Sequence, residues 1–303
     1  TPENTFVNID GGVAAKISAD AGLAVPKTDT TRRPRRVHLA WLGVLSLLSA
    51  CASVPAKPTL DLGRFSPQSL QEIVERAGRI EEQGQRIDFL SRQFLDVPYG
   101  AERLVGTADT PEALTINLAA LDCYTYLDYV EALRRSTAFD EFPQQVTAVR
   151  YREGEVSWRN RRHFFSDWVI SEAGPVRDVT ARLGGAATVY ARKELNRADE
   201  GGVLLEGIPV VQRTVAYIPA GQLDESLTQR LATGDYLGVY AHAVGLDVTH
   251  AGIAIRRADG LYFRHASTLR GQRRVVEVPL LDYFRKTPGM VVFRVPPTAR
   301  FRR

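Results

Sequence analysis

Residues 121–135 read Leu-Asp-Cys-Tyr-Thr-Tyr-Leu-Asp-Tyr-Val-Glu-Ala-Leu-Arg-Arg and predict a helix whose first turn carries a cysteine. Asp122 is a favourable N-cap residue, and Cys123 would then be the first residue of the helix. A thiol at a helix N-terminus has a lowered pKa, because the N–H groups and the helix dipole stabilise the thiolate. The apolar and aromatic side chains of the segment would form its buried side: Tyr124, Tyr126, Leu127, Val130 and Leu133.

The other cysteine of the chain, Cys51, ends a stretch that is typical of an export signal. Residues 32–38 are mostly basic, residues 39–48 are almost entirely apolar, and residues 48–51 (Leu-Ser-Ala-Cys) are typical of a lipobox, whose cysteine is acylated. An apolar core of this length is too short to span a bilayer permanently. The alternative is an ordinary cysteine that follows a weakly hydrophobic helix.

The signal predicts how the chain is organised. We expect residues 1–50 to be a leader with an extension before the signal, residues 51–65 a lipidated cysteine and linker, and residues 66–303 a single catalytic domain. The absence of an aspartate soon after Cys51 predicts a lipid-anchored protein on the periplasmic face of the outer membrane. In that oxidising compartment Cys123 has no cysteine to pair with, so it is either buried and inert or reactive.

The charge balance argues against a nucleic-acid partner. Residues 1–50 carry six of the 39 Lys and Arg residues and four of the 35 Asp and Glu residues, so residues 51–303 have a net charge of +2. A charge this small lacks the basic footprint of nucleic-acid binding. The predicted partners are therefore a membrane, into which the lipid on Cys51 would insert, and the substrate of the predicted catalytic domain.

The predicted elements are helical at first and rich in strands later. Ser66 and Pro67 are typical of the N-cap and first position of a helix, and Gly84 should separate it from a second helix. Residues 112–119 are ambiguous between strand and helix. Alternating side chains predict strands over residues 146–152, 202–218, 235–241, 249–256, 261–265, 274–278 and 290–295. This order predicts an α+β fold in which N-terminal helices pack on an antiparallel sheet.

Two histidines are candidates for the base that a cysteine nucleophile needs. His250 begins one predicted strand and His265 ends the next, with a turn at residues 259–260 between them. Neighbouring antiparallel strands can place two side chains together on one face. His250 would then contact the thiol while His265 holds its other ring nitrogen, as the third member of a catalytic triad does. The alternative is that both histidines are structural.

Five blocks occur in order along the chain: residues 98–100 (Pro-Tyr-Gly), 118–126, 161–168, 247–252 and 264–267 (Arg-His-Ala-Ser). These blocks resemble the branch of the NlpC/P60 superfamily of cysteine peptidases that is described as N-acetylmuramoyl-L-alanine amidase-like. The resemblance to the superfamily itself is carried by residues 122–123 (Asp-Cys), 234–235 (Gly-Asp), 250–253 (His-Ala-Gly-Ile) and His265. The resemblance implies a papain-like α+β fold. It also implies hydrolysis of peptidoglycan fragments between the lactyl group of N-acetylmuramic acid and L-alanine, without a metal or other cofactor.

The resemblance implies a role for each residue of the site. Cys123 would be the nucleophile, His250 the base and His265 the residue that orients it. Tyr99 would direct its hydroxyl at the oxyanion, although packing under the helix is an equal alternative. Asp122 is expected at the same oxyanion and substrate-binding region.

The block at residues 161–168 leaves two interpretations open. His163 and Asp167 would bind substrate carboxylates or sugar. The alternative is that the block braces a loop on the core through Phe164 and Trp168.

Other functions are compatible with the same residues. An enzyme of the same fold could cleave the D-glutamyl–diamino acid bond. A wall-binding lipoprotein without catalysis and an acyltransferase with the same thiol chemistry are further alternatives.

Overall fold

The computed structural model describes residues 58–101, 103–170, 174 and 176–296. The predicted leader, Cys51 and most of the linker fall on residues 1–57, outside the described part of the chain. The helices are α1 (Pro67–Gly78), α2 (Gln83–Arg92), α3 (Cys123–Arg135), α4 (Phe142–Arg150), α5 (Thr180–Gly184), α6 (Glu225–Arg230) and α7 (Leu280–Phe284). The strands are β1 (Thr59–Asp61), β2 (Thr115–Asn117), β3 (Arg177–Asp178), β4 (Val189–Leu195), β5 (Val211–Pro219), β6 (Tyr236–Tyr240), β7 (Val248–Arg257), β8 (Gly260–Ala266), β9 (Val275–Pro279) and β10 (Gly289–Arg294).

The first helix begins where its capping residues predict. The Ser66 hydroxyl accepts the N–H of Ser69, and the Ser69 hydroxyl accepts the N–H of Ser66, which is a reciprocal capping box. Leu70, Val74 and Ala77 recur at helical spacing and are buried. The predicted start and the buried face of α1 are both confirmed.

The predicted break before the second helix at Gly84 is wrong. Glu82 caps α2, and its carboxylate accepts the N–H groups of Gly84 and Gln85, so Gly84 lies in the first turn. A Cβ at this position would lie 2.0 Å from the carbonyl oxygen of Thr233. The glycine therefore serves the close approach of α2 to the loop before β6, and it does not end a helix.

The sheet confirms the α+β class. Within the described residues, eight strands form one antiparallel sheet in the order β4-β5-β10-β6-β7-β8-β9, and β3 pairs with β10 outside this path. A separate parallel pair joins β1 and β2, which resolves the ambiguous residues 112–119 as a short strand. The helices before the sheet in the chain, α1 to α3, pack on one of its faces through a shared core.

Helices cover both faces of the sheet, and the side chains of β7 contribute to the core on each face. Ala251, Ile253 and Ile255 belong to the core that includes α3, whereas Ala254 belongs to a second core. The second core also contains side chains of α5, α6 and α7, among them Leu183, Leu227 and Phe284. Because successive strand residues point to opposite faces, His250 lies on the Ala254 side, which α7 covers.

The strand predicted over residues 146–152 is wrong, because this segment lies mostly in helix α4. Phe142, Val146 and Val149 are fully buried at a spacing of three and four residues, which is the helical period. Pro143 lies in the first turn of α4, where proline is tolerated. The spacing of the two valines therefore fits a helix and not the alternation of a strand.

The strand predicted over residues 202–218 is correct only in its second half. β5 begins at Val211, and its partner β4, which the sequence did not predict, pairs with it along seven residues. Before β5, the Asn196 side chain donates hydrogen bonds to the carbonyl oxygens of Leu205 and Ile208. A side-chain amide thus satisfies backbone groups that a strand would have paired.

Candidate active site

Cys123 is the first residue of α3, as predicted, and is partly exposed. The Asp122 carboxylate accepts the N–H of Tyr124 at 2.9 Å, the N–H of Thr125 at 2.7 Å and the Thr125 hydroxyl at 2.9 Å. Burial raises the pKa of Asp122, and the hydrogen bonds from Thr125 and Tyr124 oppose that rise. The structure therefore gives Asp122 a capping role, and substrate binding by this residue stays a prediction.

The two predicted histidines lie together. β7 and β8 pair with Ile253 opposite Arg264, and continuing that register places Gly252 opposite His265. His250 is thus a diagonal neighbour of His265 on the same face. A hydrogen bond of 2.7 Å joins Nε2 of His250 to Nδ1 of His265, with the rings nearly perpendicular at 88°.

Gly252 lies two residues after His250 and opposite His265, and its lack of a side chain leaves room for this arrangement. A Cβ at Gly252 would lie 2.5 Å from Cε2 of Phe263 and 2.6 Å from the carbonyl oxygen of Arg264. The Phe263 ring stacks on His265, with centroids 4.8 Å apart and an interplanar angle of 15°. The glycine of the His-x-Gly sequence therefore lets an aromatic ring support His265.

Burial keeps both imidazoles neutral at neutral pH. His250 is 8% exposed, and burial lowers its pKa to about 4. His265 is 1% exposed, and burial together with the nearby charge of His250 holds its pKa well below the usual range. Nδ1 of a neutral His265 can accept a hydrogen bond from Nε2 of His250. The other ring nitrogen of His250, Nδ1, then points away from the two histidines.

Tyr283 of α7 is a residue of the site that sequence reasoning missed. Its ring centroid lies 5.1 Å from that of His265 and 6.3 Å from that of His250. The pKa of Tyr283 is raised, mainly by burial and also by the charge of Cys123. Tyr283 therefore lies beside both histidines and within electrostatic range of Cys123, and we refer to Cys123, His250, His265 and Tyr283 as the candidate cluster. No local sequence pattern around residues 280–284 indicates this role.

Tyr99 borders the start of α3. Residues 98–100 run beside Leu121, with Leu121 donating its N–H to Pro98 at 2.9 Å and Gly100 donating to Leu121 at 3.0 Å. The Tyr99 N–H donates to the carbonyl oxygen of Arg273 at 2.8 Å. Tyr99 is partly buried and packs against the α3 side core, so its ring has a structural contact, and its proposed contact with an oxyanion stays a prediction.

The contacts of His163 and Asp167 are those of a brace. The His163 ring packs on Trp158 with centroids 4.4 Å apart, and its Nε2 lies 2.8 Å from the Trp158 carbonyl oxygen. Burial lowers the pKa of His163 to about 3. Asp167 forms an ion pair of 2.7 Å with Arg213 and accepts the N–H of Phe164. These contacts favour the bracing alternative, and binding of substrate by the two residues stays a prediction.

A hydrogen bond joins the bracing block to the first turn of α3. The Tyr124 hydroxyl, in the first turn of α3, donates to the carbonyl oxygen of Phe164 at 2.9 Å. The block thereby supports the turn that holds Cys123.

A family model described as AmiA-like, N-acetylmuramoyl-L-alanine amidase-like, matches residues 89–290. The chain belongs to the AmiA-like family. All the candidate residues of the thiol and imidazole cluster lie within the matched residues. No curated protein matches the chain significantly.

Solved structures share the fold of this AmiA-like protein. A Legionella pneumophila protein of the DUF1460 family is 20% identical, with a TM-score of 0.63, over 76% of this chain and 94% of that chain. An N-acetylmuramoyl-L-alanine amidase from Bacteroides uniformis is 26% identical, with a TM-score of 0.59, over 70% and 98%. A putative xylanase from Bacteroides fragilis is 25% identical, with a TM-score of 0.55, over 68% and 99%.

The predicted membership of the NlpC/P60 superfamily is wrong. The matching family is the AmiA-like one, and the similar structures include an amidase and a DUF1460 protein. The papain-like fold was expected only from that superfamily, so this expectation is no longer supported. The mixed α+β architecture is confirmed. The AmiA-like family indicates an amidase-like activity on the cell wall, with peptidoglycan as the substrate.

Other features of this AmiA-like domain lie apart from the cluster. A groove of about 1070 Å³ is lined by residues of the α1–α2 turn and of the loop before β6, including Glu81, Arg86 and Gly234. Among the described residues, no group of three or more His, Cys, Asp or Glu side chains is placed to hold a metal ion. None of the helices within the described ranges is long and apolar enough to cross a bilayer.

Proposed function

We propose that this AmiA-like protein is a cysteine amidohydrolase that cleaves the bond between N-acetylmuramic acid and L-alanine in peptidoglycan fragments. The observation that supports it most is the 2.7 Å hydrogen bond between His250 and His265, in the cluster that includes Cys123. An oriented, neutral imidazole beside a thiol at a helix start is the arrangement that nucleophilic catalysis requires.

In the first step His250 takes the proton of the Cys123 thiol, and the thiolate attacks the carbonyl carbon of the lactyl amide. His265 accepts the Nε2–H of His250, which leaves Nδ1 of His250 as the base. This assignment requires a proton on Nε2 of His265, an atom that is buried and has no hydrogen-bond partner among the described residues. His265 therefore acts as a positioning residue that remains neutral while His250 becomes charged.

The tetrahedral oxyanion needs donors at the start of α3. Asp122 already accepts the N–H groups of Tyr124 and Thr125, so these two are not available to an oxyanion. The donor from the helix must then be the Cys123 N–H. The hydroxyl groups of Tyr99 and Tyr283 are the candidates for a second donor.

Collapse of the intermediate completes the reaction. The imidazolium of His250 gives its proton to the departing L-alanine nitrogen, which releases the stem peptide and leaves a thioester on Cys123. A water molecule that loses a proton to His250 then attacks the thioester, releasing the lactyl carboxylate and restoring the thiol.

The cluster does not fit glycoside hydrolysis, the activity for which the similar protein from Bacteroides fragilis is named. That chemistry ordinarily uses two carboxyl groups flanking the glycosidic bond. The candidate cluster contains a thiol, two imidazoles and a phenol. Cleavage at the D-glutamyl–diamino acid bond remains the alternative, because the same catalytic groups serve both amides.

The test uses purified disaccharide–peptide muropeptides, the purified protein and its Cys123→Ala variant, with products identified by mass spectrometry. Release of a stem peptide that begins with L-alanine, lost in the variant, is the expected result. Release of a disaccharide–dipeptide would move the scissile bond to the D-glutamyl position. Equal release by the variant, or no product from any muropeptide, would contradict a cysteine amidase.

We also propose, from the sequence alone, that Cys51 is lipidated and that the protein faces the periplasm from the outer membrane. Labelled palmitate should enter the protein expressed from its natural sequence and should be absent from the Cys51→Ser variant. Recovery of the protein in the inner-membrane or soluble fraction would contradict the location.

A further inference from the structure

Two exposed arginines lie near residues 99–100, which run beside the segment that leads to Cys123. The guanidinium carbon of Arg273 lies 5.2 Å from the centroid of the Tyr99 ring. Arg103 lies against Gly100: a Cβ on that glycine would be 3.0 Å from Nε of Arg103 and 3.5 Å from its Nη2. Both arginines are exposed.

The same contacts connect this surface to the nucleophile. A Cβ on Gly100 would also lie 2.6 Å from Cβ of Ala120, and Gly100 donates its N–H to Leu121. Ala120 and Leu121 lead directly to Asp122 and Cys123, so the two guanidinium groups lie beside the segment that delivers the thiol.

The charges of these two arginines are not neutralised within the described residues. Other arginines nearby are paired: Arg274 contacts Asp96 at 3.0 Å, and the fully buried Arg264 contacts both Asp88 and Glu277. Arg103 and Arg273 form no such ion pair with a described carboxylate. Guanidinium groups bind carboxylates through two parallel N–H donors, so two unneutralised arginines are suited to an anionic group.

We infer that Arg103 and Arg273 form a specificity site for a carboxylate of the stem peptide. The inference rests on the proposed function and names the substrate class more narrowly. D-glutamate follows L-alanine in the stem, and its α-carboxylate is the first negative charge beyond the scissile amide. The enzyme should therefore prefer stems with free D-glutamate over stems in which that carboxylate is a carboxamide.

The experiment compares two muropeptides that differ only in D-glutamate or D-isoglutamine. Exposed ion pairs are individually weak, so we expect kcat/KM of the natural protein to be roughly three- to tenfold higher for the free carboxylate, mainly through KM. The preference should shrink as salt rises. In the Arg103→Gln/Arg273→Gln double variant the ratio should fall to about one.

Two further variants separate charge from shape. Arg273→Lys retains a positive charge without the planar fork and should keep part of the preference. Arg79→Gln removes an exposed arginine at the end of α1 and should keep all of it. Equal kcat/KM of the natural protein for both muropeptides, or a preference that survives in the double variant, would overturn the inference.

A binding measurement keeps the inference testable if no cleavage occurs. Calorimetry with the dipeptides L-Ala-D-Glu and L-Ala-D-isoglutamine needs no turnover. Tighter binding of L-Ala-D-Glu by the natural protein, and loss of that difference in the double variant, would support the carboxylate site even if the proposed amidase activity failed. Equal binding of both dipeptides would refute the site whatever the activity.

Discussion

Replacing His265 by leucine tests the orienting role directly. Leucine has a volume close to that of histidine and can still pack on Phe263, but it offers no acceptor to His250. The 2.7 Å bond between two side chains that are 8% and 1% exposed would be lost. His250 could then carry its proton on either nitrogen, and a buried N–H would have no partner.

The size of the effect follows from that unpaired donor. A buried donor left without a partner costs about 1–3 kcal/mol, and the cost rises when the donor is charged, as the imidazolium of His250 is in the transition state. Since about 1.4 kcal/mol corresponds to a factor of ten in rate, kcat/KM should fall roughly ten- to hundredfold. The fall should appear in kcat, because His265 orients the base and does not contact substrate.

The assay is release of stem peptide from muropeptides, normalised to the fraction of folded protein from thermal unfolding. Tyr126→Phe is the control, because it removes one buried hydrogen bond, from the Tyr126 hydroxyl to the carbonyl oxygen of Ser91, at a residue without an assigned role in the site. The control should lose stability but keep most of its normalised activity. A His265→Leu protein within threefold of the natural rate, or a control that loses as much activity, would refute the reasoning.

Three other results follow from the same geometry. Burial lowers the pKa of His250 to about 4, so the base is neutral above that pH and kcat/KM should fall only as the pH falls through about 4. A fall in kcat/KM centred near pH 6.5, the ordinary pKa of histidine, would contradict this. Gly252→Ala places a Cβ 2.5 Å from Phe263 and 2.6 Å from a backbone oxygen, so urea unfolding should show a loss of about 1–3 kcal/mol, and an unchanged midpoint would contradict the fit. Asp122→Ala removes the cap of α3, so urea unfolding should show a loss of about 1 kcal/mol, whereas Asp122→Ser should restore most of it; equal stability of the two variants would contradict the capping role.

Local signals predicted the elements that hold the candidate nucleophile and base. The capping residues Ser66 and Asp122 set the starts of α1 and α3, because a cap depends on a side chain and N–H groups within three residues. Alternation predicted β7 and β8 and hence two histidines on neighbouring strands. The strand predicted across Val146 and Val149 is wrong, because a short apolar pattern fits more than one period until its burial is known.

The sequence by itself determined the α+β class, the position of Cys123 at a helix start and the pairing of the two strands that carry His250 and His265. Only the tertiary structure decided the diagonal register that joins the two rings, the approach of Tyr283 and the placement of Arg103 and Arg273 against residues 99–100. Helix caps and strand alternation act over a few residues, so they can be recognised in a segment. The contacts that assemble the site join residues on different elements, from His250 and His265, 15 positions apart, to Cys123 and Tyr283, which lie far apart in the chain, and these contacts depend on how the elements pack.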